Sequence, residues 1–318
     1  MNLPRLLLSA TCVLLIACKG DKQSSADDDK MREEAKELAR NLILVDTHVD
    51  LPYRLRIKNF RLEREYMNIP VSSEAGDFDF EQFALASSPT EVQANTLAGK
   101  TTLPMGMENG APLGDDAENV KYFFERGIRS ITLTRGKDNQ ICDSSYVTLS
   151  TWKGLSPFGE KVVAEMNRVC IMVDISHVSD STFYDVLKTT KAPLIASHSS
   201  CRHFTPGFQR NMSDEMIRAL GKNGGVIQIN FGASFLDSTA RANGHLFAGI
   251  DHVGIGSNYD GVGDALPVGL KDVSDYPNLI CVLLKRGYKH DDIEKICSGN
   301  VFRVWNKTLE LAEGLEVA

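Results

Sequence analysis

The sequence predicts an α/β fold of the (β/α)-barrel type. Short, nearly continuous apolar runs alternate with helical stretches, as expected for parallel strands that are buried on both faces and joined by helices. Several of these runs also end on a histidine or a carboxylate. In a barrel the carboxyl ends of all strands meet on one face, where catalytic residues collect, so these polar strand ends favour a barrel over a doubly wound sheet.

The predicted strands are seven apolar runs. They are LILVD (42–46), TLPMGME (102–108), SITLTR (130–135), CIMVDIS (170–176), APLIAS (192–197), GGVIQINF (224–231) and HVGIGS (252–257). Helix signals lie between them, such as Ser156-Pro157 ahead of VVAEMNRV, because serine caps a helix and proline favours its first turn. The stretch between His48 and Glu108 contains no convincing buried strand, and MNIPVS (67–72) shows only a weak pattern. We therefore expect a barrel that is incomplete or distorted around its second strand.

The N-terminal residues have the pattern of an export signal. The apolar run LLLSATCVLLIA (6–17) is too short to span a bilayer as a helix. It ends in LIAC, which resembles the lipobox of bacterial lipoproteins and predicts lipidation of Cys18; a plain secretory signal is the alternative. Residues 18–31 are hydrophilic and predict a disordered tether, and residues 32–318 predict a single barrel domain. The protein is thus expected to be exported and lipid-anchored to a bacterial membrane, on its periplasmic or cell-surface side.

Net charge and cysteine spacing argue against several classes of binding partner and of structural site. A net charge of −7 argues against a nucleic-acid partner or a surface that binds anionic membranes. No CxxC or zinc-finger spacing occurs among the five cysteines beyond Cys18, and their odd number leaves at least one thiol free. One disulfide stays open as an alternative for an exported protein. Cys170, within an apolar run, is interpreted as a small core residue.

The polar strand ends predict a metal site. Three of the seven histidines follow predicted strands, and one of them belongs to an HxD pair whose side chains point the same way in an extended segment. The residues at these ends are His48, Asp50, Glu108, His177 and His198. Mixed imidazole and carboxylate ligands suit zinc, with manganese and iron as alternatives. The other histidines, which are His203, His245, His252 and His290, are interpreted as structural or surface residues.

Six ordered motifs carry a resemblance to a known family. VDTHVDLP, GMENG, DISHVSDSTFYDVL, SHSSCRHF, QRNMSD and GIGSNYDGV resemble successive motifs of the membrane (renal-type) dipeptidases, peptidase family M19, which are amidohydrolase-type metal-dependent barrels. The resemblance runs from about residue 40 to the C-terminus. It implies a (β/α)8 TIM-type barrel that hydrolyses dipeptides with a hydroxide bound by two zinc ions. Because members of the family commonly dimerise, a homodimer is one expected assembly. Through its LIAC sequence, the protein is expected to contact the membrane by its lipid anchor alone.

The resemblance assigns roles to individual residues. The implied ligands are His48 and Asp50 on the first ion, His177 and His198 on the second, and Glu108 as the bridge between both. Arg210, in QRN, matches the arginine that holds the C-terminal carboxylate of the substrate. A guanidinium fork suits that planar anion.

Two strand ends depart from the family pattern. Asn258 stands at the position of the family's acid/base aspartate, and an amide has no proton to exchange near neutral pH. Arg135 stands where the family has a histidine that contacts the substrate and the forming oxyanion; as a cation it either stabilises that oxyanion or seals the pocket. Asp260 points to the same side as Asn258 only if the chain stays extended between them. Both departures predict impaired turnover.

Three functional hypotheses stay open. The first is a lipid-anchored zinc dipeptidase whose substrates include dipeptides with a C-terminal D-residue. The second is a catalytically weak or inactive metal-binding relative that serves as a small-peptide-binding lipoprotein. The third is another amidohydrolase-type reaction, such as the opening of a lactone or a cyclic amide. The intact set of ligand residues disfavours a barrel without a functional metal.

Overall fold

A computed structural model describes residues 17–50, 83–236, 249–263 and 265–315. Its seven strands form one parallel sheet in the order β1 to β7. The strands are β1 (Phe83–Ala86), β2 (Thr101–Glu108), β3 (Ile128–Thr132), β4 (Met172–Asp174), β5 (Ile195–Ser199), β6 (Val226–Ile229) and β7 (Val253–Ile255). A parallel sheet whose strands follow chain order, with helices between them, is the arrangement of a (β/α) barrel, and here it is a curled, incomplete one. The predicted fold class is confirmed.

Helices connect the strands and cover the sheet. They are α1 (Ala17–Asn41), α2 (Pro89–Leu97), α3 (Asn119–Phe124), α4 (Pro157–Arg168), α5 (Asp180–Thr189), α6 (Asp214–Lys222), α7 (Ala233–Leu236), α8 (Tyr276–Lys285), α9 (His290–Glu294) and α10 (Asn300–Leu315). The predicted helix start at Ser156 is confirmed, because its hydroxyl accepts a hydrogen bond from the backbone N–H of Gly159 in the first turn of α4. The hydroxyls of Ser179 and Ser213 cap α5 and α6 in the same way.

The first predicted strand differs from the structure. Residues 46–50 lie beside β7 and pair with it only through isolated parallel bridges, Asp46 with Ile255 and Val49 with Tyr259. Within this stretch the Asp46 carboxylate, rather than a backbone carbonyl, accepts the backbone N–H groups of His48, at 3.2 Å, and Ser257, at 2.9 Å. The segment 46–50 therefore continues the sheet beyond β7 without forming a full strand.

Strand β1 lies between His48 and Glu108, where the sequence shows no convincing buried strand. Its sequence, FALA, pairs in parallel with β2 from Phe83 opposite Thr101 to Ala86 opposite Pro104. It was missed because it is only 4 residues long, contains two alanines and leaves Leu85 53% exposed, so it lacks the buried apolar pattern of an inner strand. The weak candidate MNIPVS (67–72) lies outside the described residues.

Helix α1 begins earlier than the predicted domain start. The structure continues the helix back to Ala17, where the sequence predicted a disordered tether over residues 18–31. Its C-terminal half packs against α8, with buried Ala35 in one cluster with Ile280 and Cys281. Asp28 forms an ion pair with Lys285 of α8 at 2.8 Å, so the contact between α1 and α8 continues toward the N-terminus of α1. The predicted signal segment lies almost wholly outside the described residues.

The amino ends of the strands are closed by α10. Val301 and Trp305, one helical turn apart, pack in one buried cluster with Met172 of β4, Ile195 of β5 and Val226 of β6. This apolar plug fills the end of the barrel opposite the carboxyl ends of the strands. The stabilising apolar cluster thus lies at one end of the barrel and the polar strand ends lie at the other, as is usual for this architecture.

Two further observations concern membranes and thiols. No helix within the described ranges is long and apolar enough to cross a bilayer. The described cysteines beyond α1, namely Cys142, Cys170, Cys201, Cys281 and Cys297, are all free thiols. Cys170 lies before β4 rather than in it, in a left-handed turn with φ of 65°.

Candidate metal centre

The five residues predicted as ligands come together at the carboxyl ends of the strands. Glu108 is the last residue of β2, His177 follows β4, and His198 lies near the end of β5. His48 and Asp50 lie on the segment that flanks β7. Residues separated by up to 150 positions in sequence thus share one small site.

Their ligand atoms converge on one carboxylate oxygen. Glu108 Oε1 lies 2.9 Å from His177 Nε2, 3.4 Å from His198 Nε2 and 4.0 Å from His48 Nε2. The Nε2 atoms of His177 and His198 are 2.8 Å apart. Asp50 Oδ2 lies 3.4 Å from His48 Nε2. Three imidazole nitrogens and two carboxylates are thus gathered in one small volume.

Divalent metal ions fit this donor set. Ligand atoms of His48, Glu108 and His198 all lie within 4.8 Å of one another. The Nε2 atom of His48 is buried and has no hydrogen-bond partner in the described structure, so an electron-pair acceptor would satisfy it. Three nitrogen and two carboxylate donors match the ligands that zinc takes in proteins.

Protonation also favours metal binding. Burial, with help from the nearby Arg210 charge, lowers the pKa of His177 to about 4, and burial lowers the pKa of His198 well below its usual value. Burial opposes the charged form of Glu108, but hydrogen bonds with His177 and His198 outweigh it and lower the pKa of that carboxyl. Burial also disfavours charged His48, yet the nearby Asp50 carboxylate, with Oδ2 3.4 Å from Nε2, raises the pKa of the imidazole. Near neutral pH, Glu108 is ionised while His177 and His198 are neutral, which are the forms that bind metal.

A buried carboxylate orients His198. Asp174 Oδ2 accepts the Ser197 hydroxyl at 2.5 Å, and Ser197 Oγ lies 2.8 Å from His198 Nδ1. Because the hydroxyl proton goes to Asp174, Ser197 Oγ accepts the proton of His198 Nδ1. The lone pair of His198 is then on Nε2, which faces Glu108. This is the outer arrangement that fixes the tautomer of metal-binding histidines.

Asp174 and Ser197 were not predicted from the sequence as residues of the site. Both lie in runs that were interpreted only as strands, CIMVDIS and APLIAS. The available signal was the charge of Asp174, because an ionisable residue inside an otherwise apolar strand needs a partner. It finds several: the backbone N–H groups of Ser176 and Ser197 donate to Oδ1, each at 2.9 Å, and the Thr132 hydroxyl donates to Oδ2.

Arg210 lies buried beside the histidines. Its terminal nitrogens donate to Ser199 Oγ at 2.7 Å and to the His198 carbonyl at 2.9 Å, while Nε is buried without a hydrogen-bond partner in the described structure. Burial lowers its pKa to about 10, so it stays charged at neutral pH. A guanidinium has five N–H donors, and those not used here remain for a ligand.

Arg135 contacts Glu108 Oε2, the carboxylate oxygen that does not face the histidines. Its Nε is 2.7 Å from Glu108 Oε2, and its side chain is 41% exposed. Tyr146 lies on the loop after Arg135, and its ring centroid is 5.9 Å from that of His177. The loop is tied to the site because the Ser145 N–H donates to the His177 carbonyl at 2.8 Å. His177 itself has φ of 69°, a left-handed conformation that aims its ring at the centre.

Asn258 reaches the metal centre. A Cβ placed on Gly261 would lie 2.0 Å from both Asn258 Oδ1 and Asp50 Oδ2, so these two oxygens are at most 4.0 Å apart. The chain is not extended between Asn258 and Asp260, because both residues have positive φ, 59° and 66°. Because the chain is not extended here, Asp260 is not expected to point to the same side as Asn258.

The remaining described histidines have other partners. His252 Nδ1 lies 2.7 Å from the Gly225 carbonyl oxygen, and the exposed His290 pairs with Glu34 at 2.7 Å. His203, also exposed, lies 3.6 Å from Asp214. His245 is outside the described residues. These contacts agree with a structural or surface role.

Known proteins with similar sequences are dipeptidases. The family model for membrane dipeptidases, peptidase family M19, matches residues 74–317. The chain is 30% identical to an uncharacterized dipeptidase of Schizosaccharomyces pombe, covering 90% of this chain and 86% of that protein. It is 31% identical to dipeptidase 3 of Rattus norvegicus, covering 90% of this chain and 69% of that one.

A solved structure is similar in fold and sequence. It is a metallo peptidase from Rhodobacter sphaeroides liganded with a phosphinate mimic of the dipeptide L-Ala-D-Ala. The TM-score is 0.66 and the identity 29%, over 72% of this chain and 70% of that one. The family match covers most of the folded region, including three of the five clustered residues, namely Glu108, His177 and His198. The chain therefore belongs to the membrane dipeptidase family, peptidase family M19, and is a hydrolase of the metallodipeptidase type.

Proposed function

We propose that the protein is a zinc-dependent dipeptidase whose centre consists of His48, Asp50, Glu108, His177 and His198. The observation that carries the proposal is the convergence of three imidazole nitrogens on Glu108 Oε1, at 2.9 to 4.0 Å, with Asp50 alongside. Zinc bound there would polarise the scissile carbonyl and make water acidic enough to act as a nucleophile near neutral pH.

The chain's own residues would bind and orient the dipeptide. Arg210, charged and fixed by Ser199 and the His198 carbonyl, is placed to hold the substrate's C-terminal carboxylate. Tyr146, half exposed on the loop beside His177, would cover the substrate from the solvent side. Asn258 can donate a hydrogen bond but cannot protonate the departing amine, so we expect turnover to be slow.

The proposed substrate class is free dipeptides, including those with a C-terminal D-residue. The support is the similar Rhodobacter sphaeroides metallo peptidase, which was solved with a mimic of L-Ala-D-Ala. The buried Arg210 favours a short substrate, because a carboxylate must come close to the metal centre to reach it.

A hydrolysis assay tests the function. Purified protein is stripped with a chelator, reloaded with zinc and given L-Ala-L-Ala, L-Ala-D-Ala, the tripeptide L-Ala-L-Ala-L-Ala and a simple lactone. We expect zinc-dependent cleavage of the dipeptides, loss of that cleavage in His198→Ala, and no cleavage of the tripeptide. Preferred opening of the lactone would support the other amidohydrolase-type reaction. Tight dipeptide binding without cleavage would support the small-peptide-binding alternative.

We also propose export and lipid anchoring through Cys18. The support is the LIAC sequence at the end of an apolar run that is too short to span a bilayer. Metabolic labelling with a radioactive fatty acid tests this: the label should enter the wild type and be absent from Cys18→Ser. Labelling of both proteins would contradict it.

A further inference from the structure

The two oxygens of Glu108 face different groups. Oε1 faces the imidazoles, with His177 Nε2 at 2.9 Å and His198 Nε2 at 3.4 Å. Oε2 lies 2.7 Å from Arg135 Nε. A carboxylate that bridges two metal ions through both its oxygens gives one oxygen to each ion. Here the guanidinium of Arg135 lies where the second of those ions would meet Oε2.

The charges around the centre also disfavour a second metal ion. Two of the five ligand residues are carboxylates, Asp50 and Glu108, and the guanidinium groups of Arg135 and Arg210 lie within the same site. The formal charges of these four groups cancel. Asn258, at most 4.0 Å from Asp50 through its amide oxygen, contributes no charge. The buried Asp174 carboxylate, linked to His198 through Ser197, brings the net charge to about −1. The first divalent ion would therefore enter a negatively charged site, whereas a second would enter one that already carries about one positive charge.

We propose that Arg135 takes the place of a second metal ion, so that the centre binds one divalent ion tightly and a second only weakly. This inference rests on the proposed metal site and concerns how many ions that site holds. Glu108 Oε1 and the imidazole nitrogens that surround it would hold the tight ion. Arg135 fixes Glu108 through Oε2 and keeps Oε1 directed at the histidines.

Zinc stoichiometry of the full chain tests the proposal. Wild type, Arg135→Gln and Arg135→Lys are dialysed against a series of chelator-buffered free zinc concentrations, and zinc per chain is measured by elemental analysis and native mass spectrometry. The matched control is Arg126→Gln. It removes the same charge from an exposed arginine at the amino end of β3, the end opposite Arg135. Circular dichroism and thermal melts confirm that each variant is folded.

The expected result is about one tightly bound zinc ion per chain in the wild type, in Arg135→Lys and in Arg126→Gln, and about two in Arg135→Gln. The second ion should bind Arg135→Gln at least ~10-fold more tightly than the wild type, because a cation beside the site is gone. Two equally tight ions in the wild type would overturn the inference and leave the proposed dipeptidase standing. The same holds if Arg135→Gln gains no ion, or if Arg126→Gln gains one too. No bound zinc in any of the proteins would overturn both proposals.

Discussion

The backbone N–H of Asn258 donates a hydrogen bond of 3.0 Å to the carbonyl oxygen of His48. This bond joins the end of β7 to the segment that supplies His48 and Asp50, where regular strand pairing is absent. One turn of chain thus positions two of the proposed ligands and also the amide beside them. Changes near Asn258 are therefore expected to act on metal binding as well as on proton transfer.

Removal of the Ser197 hydroxyl should weaken zinc binding while leaving all five proposed ligands in place. Ser197 connects Asp174 to His198 Nδ1, so Ser197→Ala leaves the imidazole free to rotate or to adopt the other tautomer. We expect zinc affinity to fall ~10–100-fold, as is typical when a partner of a ligating histidine is lost. Ser200→Ala is the matched control, since the buried Ser200 hydroxyl donates instead to the Asn230 carbonyl. Competition titration with a chromogenic chelator measures both, and equal affinities would contradict this role for Ser197.

A methyl group at Gly261 should disturb the centre without unfolding the protein. The added Cβ would stand 2.0 Å from Asn258 Oδ1 and 2.0 Å from Asp50 Oδ2, so at least one side chain must move. Gly261 is exposed and its φ is outside the left-handed region, so alanine fits the backbone itself. We expect Gly261→Ala to lose ~10-fold or more in zinc affinity with little change in melting temperature.

Gly136→Ala serves as the control for that variant, because a Cβ there meets nothing within 4 Å. It should keep both the zinc affinity and the melting temperature of the wild type. A Gly261→Ala protein that matches it in both would show that the contact of Gly261 with Asp50 and Asn258 has no role in the site.

Loss of Arg210 should discriminate between dipeptides and their amides. Only a free dipeptide has the carboxylate that the guanidinium is proposed to hold, and a charge-assisted hydrogen bond is worth ~10–100-fold in binding. We therefore expect kcat/KM for the free dipeptide to fall by that factor more than kcat/KM for the amide in Arg210→Ala. Because Arg210 is buried, Arg210→Lys is measured alongside as the variant that keeps the charge and disturbs packing less. Equal losses on both substrates in both variants would remove Arg210 from this role.

Acid should destabilise the metal-free protein through His177. Burial lowers the pKa of His177 to about 4 from an ordinary value of 6.5, so the unfolded chain binds this proton more readily than the folded one. The stability that neutral His177 contributes is present above pH 6.5 and is lost as the pH falls from 6.5 to about 4. His177→Gln should flatten the decline in urea-unfolding free energy over that interval. An unchanged slope would contradict the buried, neutral state of His177.

The clustering of the proposed ligand residues followed from the sequence more directly than the details of their surroundings. His48, Glu108 and His198 follow apolar runs, and the topology of a parallel barrel alone brings such strand ends together. The pairing of Arg135 with Glu108 was not predictable, because it depends on the register of β2 and β3, which sets Glu108 opposite Thr132. It also depends on how the chain turns after β3, and no local pattern encodes that turn. For the same reason β1 was missed, since its four residues are identified as a strand only by pairing with β2.

Substitution of Asn258 by aspartate should increase hydrolysis. The amide oxygen of Asn258 lies within 4.0 Å of Asp50 Oδ2, so a carboxyl group there would share the site with a second carboxylate. Such pairing raises the pKa of one partner toward neutrality, which suits a group that must take and return a proton. General acid–base assistance is typically worth 10²–10⁴-fold, so we expect Asn258→Asp to raise kcat on dipeptides by ~10²-fold or more with zinc saturating.

A pH profile separates proton transfer from a simple charge effect in that variant. Asn258→Asp should acquire a rate that depends on one additional ionisation, whereas Asp260→Asn, which removes a nearby carboxyl in a different turn position, should retain the profile of the wild type. If Asn258→Asp binds zinc, folds and gains no rate, the limit lies with Arg135, and the double variant Asn258→Asp/Arg135→His should then restore it. High activity in the wild type itself would show that this fold does not need an acid at the end of β7, since an amide cannot exchange a proton near neutral pH.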